Sequence, residues 1–198
     1  MYRTFIRPVL DRVLAATFLL LFLPLLVATA VVCKLFIGSI IFRQTRIGLN
    51  GKPFVILKFR SMRGVDHGLG GTIKGIDVNR TPPVGAFMRR WRIDELPQLV
   101  NVLKGEMSLI GPRPLPAIEL ALASQRCPNV EERHLVLPGL AGLAQVRRLE
   151  GSEFLELIAN RIESDLEFVA NFGWKMDLRI ILLSPIAFFC GYHARPKG

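Results

Sequence analysis

From Val13 to Cys33 the chain reads "VLAATFLLLFLPLLVATAVVC", 21 residues without a charge. About 20 apolar residues suffice to cross the hydrocarbon core of a bilayer as a helix, so this run limits the fold more than any other feature. Pro24 falls near its middle. A proline lacks the N–H that an inner turn donates, and its ring clashes with the preceding turn, so a kink or break is expected there. A cleavable signal peptide fits poorly, because the run is long and lacks a clean small-x-small cleavage site.

Charge does not orient the segment. Arg3, Arg7 and Arg12 precede it; Lys34, Arg43, Arg46 and Lys52 follow it. With both flanks basic, the preference of cations for the cytoplasmic side sets no direction of crossing. A helix that bends at Pro24 and returns to the same leaflet places both flanks on one face. From composition alone this re-entrant hairpin and a single span stand level. A second apolar stretch, Ile180 to Tyr192, is short for a span. Ser184-Pro185 is expected to interrupt it, and Arg179, Arg195 and Lys197 bracket it. It reads as an interfacial helix or, more plainly, as a buried core helix.

The 198 residues suit one domain. A net charge of +10 on a chain that is 51% hydrophobic points to anionic lipid surfaces, phosphorylated substrates, or both. Nucleic acid ranks low as a partner, since no zinc spacing, RNP-like aromatic motif or helix-turn-helix stands in the sequence. Cys33, Cys127 and Cys190 are odd in number and scattered, which argues against a disulfide framework or a thiolate zinc site. His67, His134 and His193 offer no metal constellation.

Between the apolar ends the pattern is mixed. Residues 40–62 are expected to form a hairpin, "IIFRQTRIG" against "FVILKFRSM", with a turn at Asn50–Pro53. Residues 64–83 read as a long mobile loop. Helical pieces are expected over Val84–Trp91, Ile93–Lys104 (ended by Gly105), Ala117–Ser124, Glu131–His134 and Ser152–Phe172. Leu137–Val146, "LPGLAGLAQV", reads as loop to strand. The expected class is α+β: a membrane hairpin, a small β-hairpin and several amphipathic or interfacial helices around one core.

The chemistry concentrates in "RRWRIDELPQLVNVLKGEMSLIGPRP", Arg89 to Pro114. Asp94 and Glu95 stand side by side, close in sequence to Arg89, Arg90, Arg92 and Arg113. The plain reading makes Asp94 the N-cap of the following helix, although Pro97 at N3 would offer no N–H. The functional reading uses the same place. A carboxylate held ionised beside arginines is a candidate nucleophile on phosphorus, and its neighbour a candidate Mg²⁺ ligand near a diphosphate. In "GPRP" the prolines restrict the backbone around Arg113, preparing its guanidinium to grip phosphate. Lys58 and Arg60 flank Phe59, so on a strand both point to one face and meet the same anion. An exposed basic edge is the plain alternative.

These residues resemble a family. "FRQTRIGLNGKPF", "KFRSM", "RTPPVGAFMRRWRIDELPQ", "RIDELPQLVNVLKGEMSLIGPRP", "LPGLAGLAQV" and "DLEFVANFGWKMDLRIILL" lie in the order found in the bacterial sugar transferases, the monotopic phosphoglycosyl transferases. With no multi-span region ahead of these blocks, the chain resembles the small form of the family. The resemblance implies transfer of a sugar-1-phosphate from a UDP-sugar to polyprenyl phosphate, usually undecaprenyl phosphate, with release of UMP. It implies Asp94 as the nucleophile of a covalent intermediate, Glu95 as its partner beside Mg²⁺, and both as metal ligands. Lys58, Arg60, Arg92 and Arg113 are the expected phosphate-binding residues. Asp165 and Gln145 are further functional candidates, and Pro24 matches the proline that breaks the family's re-entrant helix. The implied layout is a membrane hairpin over residues 1–39 and a catalytic unit over 40–198. The implied location is the cytoplasmic face of the bacterial inner membrane. Two positions depart from the family's habit: Ile40 often is proline there, and Phe168 often is tyrosine.

Overall fold

The computed structural model describes residues 1–64, 80–147 and 154–191. Most of the expected loop at 64–83 lies outside these, as do Arg195 and Lys197.

A π-turn at Tyr2–Ile6 leads into helix α1 (Arg7–Leu21), which breaks at Phe22 and resumes as α2 (Leu23–Phe36). The two axes meet at 65°. Pro24 lies in the first turn of α2, where a missing N–H is tolerated, so the break falls just ahead of it. Among the described residues no single helix is long and apolar enough to cross a membrane, but this bent pair together is. Leu20, Leu21 and Leu23 are all more than half exposed at the bend.

Strands β1 (Ile41–Ile47) and β2 (Pro53–Phe59) form the expected antiparallel hairpin, with Phe42 opposite Lys58. The turn sits at Leu49–Gly51, slightly ahead of the expected place, with Asn50 left-handed at φ 54° and Pro53 opening β2. Helix α3 (Pro83–Arg90), a 3₁₀ turn at Ile93–Glu95 and α4 (Gln98–Lys104) follow, and Gly105 at φ 77° ends α4 in the left-handed conformation that glycine adopts freely. Strand β3 (Ser108–Ile110) pairs in parallel with β4 (Gly139–Ala141). Between them lie α5 (Ala117–Ala123) and a 3₁₀ segment at Val130–Leu135. Short α6 (Leu143–Val146), α7 (Phe154–Ala170) and α8 (Trp174–Gly191) complete the chain. This is the expected α+β mixture.

Helix α8 corrects one expectation. It runs unbroken through Pro185. Met176 and Ile180 are buried against Phe168 and Leu143, which ties its first half to the core. A proline in mid-helix removes one hydrogen bond, and packing outweighs that loss here.

The membrane-like helices are part of the core. Ala15, Phe18 and Leu19 of α1 pack on Leu99, Val102 and Leu103 of α4. Arg7 donates to Asp177 Oδ2 at 2.8 Å and to the Ile110 carbonyl, and Asp11 accepts from the Leu109 N–H at 3.1 Å. Helix α1 is therefore bolted to α4, β3 and α8 by both apolar and charged contacts.

Candidate functional site

The two "glycine plus proline" blocks meet. A Cβ on Gly139 would sit 2.1 Å from the Gly111 nitrogen, and one on Gly142 would sit 2.4 Å from the Gly111 oxygen. The backbones after β3 and around β4 approach too closely for any side chain. This contact fixes where Pro112–Pro114 passes, and so where Arg113 starts.

Asn101 fixes the other side. It is fully buried, and its Oδ1 accepts from the Leu57 N–H at 3.1 Å while its Nδ2 donates to the Val55 carbonyl at 2.7 Å. Helix α4 is thereby clamped to β2, which carries Lys58. The expected shared face is found only in part: Lys58 and Arg60 line a common pocket, but Phe59, which ends β2 and packs against Cys33 and Met88, lines it too.

That pocket has a volume of about 360 Å³. It gathers Lys58, Arg60, Arg92, Asp94, Glu95 and Arg113, six residues expected from the sequence to act together. Arg46, Arg80 and Arg89 join them, so seven cationic side chains face two carboxylates among the described residues. The excess suits a ligand carrying several negative charges.

The two acids are not equivalent. Glu95 takes a two-pronged grip from Arg113, at 2.6 Å to Oε1 and 3.4 Å to Oε2. Lys58 Nζ adds a contact at 3.2 Å and Arg92 one at 3.4 Å. Burial alone would raise the Glu95 pKa, but the charges of Arg113 and Lys58 outweigh it and hold the carboxyl well below the usual range. Asp94 has no such partners, and its buried Oδ1 accepts no hydrogen bond. Burial first, and the neighbouring Glu95 charge second, push its pKa up to about 6. Its pKa thus lies above the ordinary value despite the pull of Lys58, Arg92 and Arg89, and at pH 7 about nine-tenths of it remains ionised, as expected of this carboxylate. Lys58 is pushed down to about 8 by burial and by Arg113 beside it.

The capping expectation is also corrected. Asp94 lies inside the 3₁₀ turn, α4 starts three residues after Glu95, and Pro97 holds its N-cap position without any side-chain cap. A proline there defers the helix start, so neither acid reaches the α4 amides.

Asp165 and Gln145 stand apart. Asp165, on α7, is fully buried and does not line the charged pocket. Its Oδ2 accepts from Arg133 Nη2 at 2.6 Å, and the same nitrogen donates to the Arg113 carbonyl at 2.6 Å. Arg133 has no motif around it that singles it out in the sequence. With both side chains 1% exposed, Asp165→Ala would strand the Arg133 charge in the interior. The expected cost is about 3–5 kcal/mol, read as a lower melting temperature in detergent, as the loop carrying Arg113 loses its backbone anchor. Gln145, on α6, lines a second, largely apolar cavity and not the charged pocket itself, donating to the Leu140 carbonyl at 2.9 Å.

Among the described residues no three metal-ligating side chains gather. Mg²⁺ commonly needs only one or two carboxylates plus substrate phosphates, so the expected pair is chemically adequate. The unpartnered Asp94 Oδ1 is the open donor. Both Glu95 oxygens already meet cations, so Glu95 joins only by giving up part of those contacts.

A profile of the bacterial sugar transferase family matches residues 2–191. The chain is 45% identical over 176 residues to a UDP-glucose:undecaprenyl-phosphate glucose-1-phosphate transferase of Caulobacter vibrioides, covering 88% of this chain and 66% of that one. It is 40% identical to the Escherichia coli K12 protein of the same name, covering 88% and 38% respectively. It is 42% identical over 170 residues to the exopolysaccharide production protein PSS of Rhizobium leguminosarum, covering 82% and 84%. The chain thus spans less than two thirds of the first two relatives' length. With the family profile matched along nearly its whole length, this chain belongs to the bacterial sugar transferase family.

Proposed function

We propose that this protein transfers a sugar-1-phosphate from a UDP-sugar to polyprenyl phosphate, undecaprenyl phosphate in the bacterial setting, and releases UMP. The observation that carries the reading is the asymmetry of the dyad. Glu95 is neutralised by three cations, while Asp94 beside it is ionised, buried and unpartnered in the same pocket. An anion with few hydrogen bonds is a reactive nucleophile, and the surrounding cations offset the repulsion between it and a diphosphate.

In the first step an Asp94 carboxylate oxygen bonds to the phosphorus that carries the sugar. The bond from that phosphorus to the bridging oxygen breaks, and UMP leaves with the electron pair. In the second step a phosphate oxygen of the lipid bonds to the same phosphorus and the Asp94 carboxylate departs. Arg113 and Lys58 stay paired to Glu95 at the pocket wall and orient the phosphate oxygens. Mg²⁺, held by Asp94 and in part Glu95 with the diphosphate, would neutralise charge on the leaving phosphate. Direct attack by the lipid, with Asp94 as general base, is the rival reading.

A UDP-sugar panel beginning with UDP-glucose, scored by UMP release, identifies the donor. With that donor alone and no lipid, the peptide containing Asp94 is expected to gain the mass of a sugar phosphate. An unmodified peptide alongside full turnover with lipid would favour direct attack.

The bent α1–α2 pair supports a re-entrant hairpin with residues 40–198 on the cytoplasmic face of the inner membrane. Cysteines placed by Arg3→Cys and Lys52→Cys are expected to react with an impermeant reagent from the same side of sealed vesicles. Reaction from opposite sides would establish a span instead.

A further inference from the structure

The second cavity, about 340 Å³, lies against the charged pocket, and Arg92 and Glu95 line both. Apart from these two residues and the polar tips of Gln145 and Ser184, its walls are apolar, built from Phe18 and Phe22 at the α1–α2 break, Leu99 of α4, Leu109 and Leu140. Helix α8 closes one side with Ser184 and Ala187. These lining residues alternate along α1 and α8 with apolar side chains that are more than half exposed, Leu20 and Leu21 on one, Leu182 and Ile186 on the other. The groove therefore runs from the apolar surface to the dyad.

Arg92 stands at the junction with an unusual backbone. Its φ of 55° is left-handed, and among the described residues Asn50 in the hairpin turn is the other non-glycine case. Such a conformation in a long side chain persists where surroundings force it, and it is concentrated at ligand clamps. The Arg92 side chain is 53% exposed, and its ion pair to Glu95, at 3.4 Å, is longer than the 2.6 Å contact of Arg113 to the same carboxylate. Glu95 keeps Arg113 and Lys58 if Arg92 turns toward a ligand.

Resting on the transfer reading above, we propose that this groove takes the first isoprene units of the acceptor lipid and that Arg92 takes its phosphate. A ligand with an anionic head and a single apolar tail matches a charged compartment opening directly into an apolar one. Arg92 lines both cavities, so the lipid phosphate it holds comes to the position that UMP vacates, in line with the departing Asp94 oxygen.

The experiment uses the full chain in nanodiscs with Mg²⁺, saturating UDP-sugar and polyprenyl phosphates of graded isoprene number. Acceptor KM is expected to fall with each added isoprene and level off once the groove is full. Ala187→Phe and Leu140→Trp, which fill the groove, are expected to raise acceptor KM about tenfold or more and to bring the plateau at shorter chains. Donor KM should move less than about twofold. Arg92→Ala should raise acceptor KM at every chain length, with Arg92→Lys restoring part. An acceptor KM that ignores chain length, or donor and acceptor KM values that rise together, would overturn the assignment. A polyprenyl phosphate bearing a photoreactive group on its first isoprene is expected to label 140–146 or 184–187, and to be displaced by plain polyprenyl phosphate but not by phosphatidylglycerol. Equal displacement by both would give the groove to bulk lipid. Labelling reads the groove even in protein that turns over no donor, so failure of the reaction and failure of the groove are separate results.

Discussion

Asp94→Asn is expected to lower transfer at least about a thousandfold while leaving the protein as stable as the wild type or more so. The amide keeps the shape of the side chain and removes the attacking oxygen. Robust turnover by this variant would exclude the covalent route. The stability half follows from the sign of the shift. The folded pKa of about 6 lies above the ordinary 3.8, so the folded chain binds the proton more tightly than the unfolded chain. That contribution is fully present below pH 3.8 and is lost as pH rises through about 6. At pH 7 the wild type therefore carries a penalty of up to about 3 kcal/mol, which the neutral amide lifts. A melting temperature several degrees higher at pH 7, with the gap closing toward pH 4, is the expected readout. The same pKa predicts that wild-type transfer falls about tenfold per pH unit below 6. A buried, unpaired anion at the reaction centre is strain kept for function, and relieving it should show.

How much of this was legible in the sequence depends on the range of each signal. Pro24 marked the helix break because a missing N–H acts within one turn. The hairpin followed from alternating residues and a turn signal, and its pairing of Phe42 with Lys58 needs only local geometry. The motif around Asp94 brought Glu95 and Arg113 together correctly. Strand β3 was missed because three residues carry no period; β4 falls in the stretch read as loop to strand, though that stretch ends in the short helix α6 and its parallel pairing lies about thirty residues away. "GPRP" and "LPGLAG" were visible as separate rigid blocks. That Gly111 and Gly139 leave no room for a side chain between them is a tertiary fact. Asp165 was flagged, but its action through Arg133 on the Arg113 carbonyl depends on burial that no spacing reveals. Asp94 stays mostly ionised at neutral pH as expected, but burial and the Glu95 charge raise its pKa against the pull of Lys58, Arg92 and Arg89, a balance that no spacing reveals.

Glu95→Gln should show the opposite balance from its neighbour, losing stability and activity together. In the wild type this carboxylate joins Arg113, Lys58 and Arg92, and it is 10% exposed. Its lowered pKa places its stabilising contribution above the ordinary 4.5, with loss as pH falls below that value. The amide leaves three cations facing one another around a buried pocket. Removing one partner of a buried ion pair costs about 3–5 kcal/mol, and the partial exposure of Arg92 and Arg113 reduces this to about 2–3 kcal/mol. Lys58 suffers further. Its pKa of about 8 already reflects burial and the Arg113 charge, with Glu95 holding it up. Without that support it falls toward neutral pH and the lysine sheds its proton, so a single substitution removes two charges from the phosphate site. Transfer should drop at least about a hundredfold, with donor KM rising as the phosphate grip loosens. Part of the loss should return in mildly acidic buffer, where Lys58 is reprotonated, down to the pH at which Asp94 itself takes up a proton. The wild type is expected to show no such recovery. A Glu95→Gln protein that melts like the wild type and keeps its donor KM would mean that the cations are held by the fold alone. Asp94 would then owe its reactivity to burial and not to the carboxylate beside it.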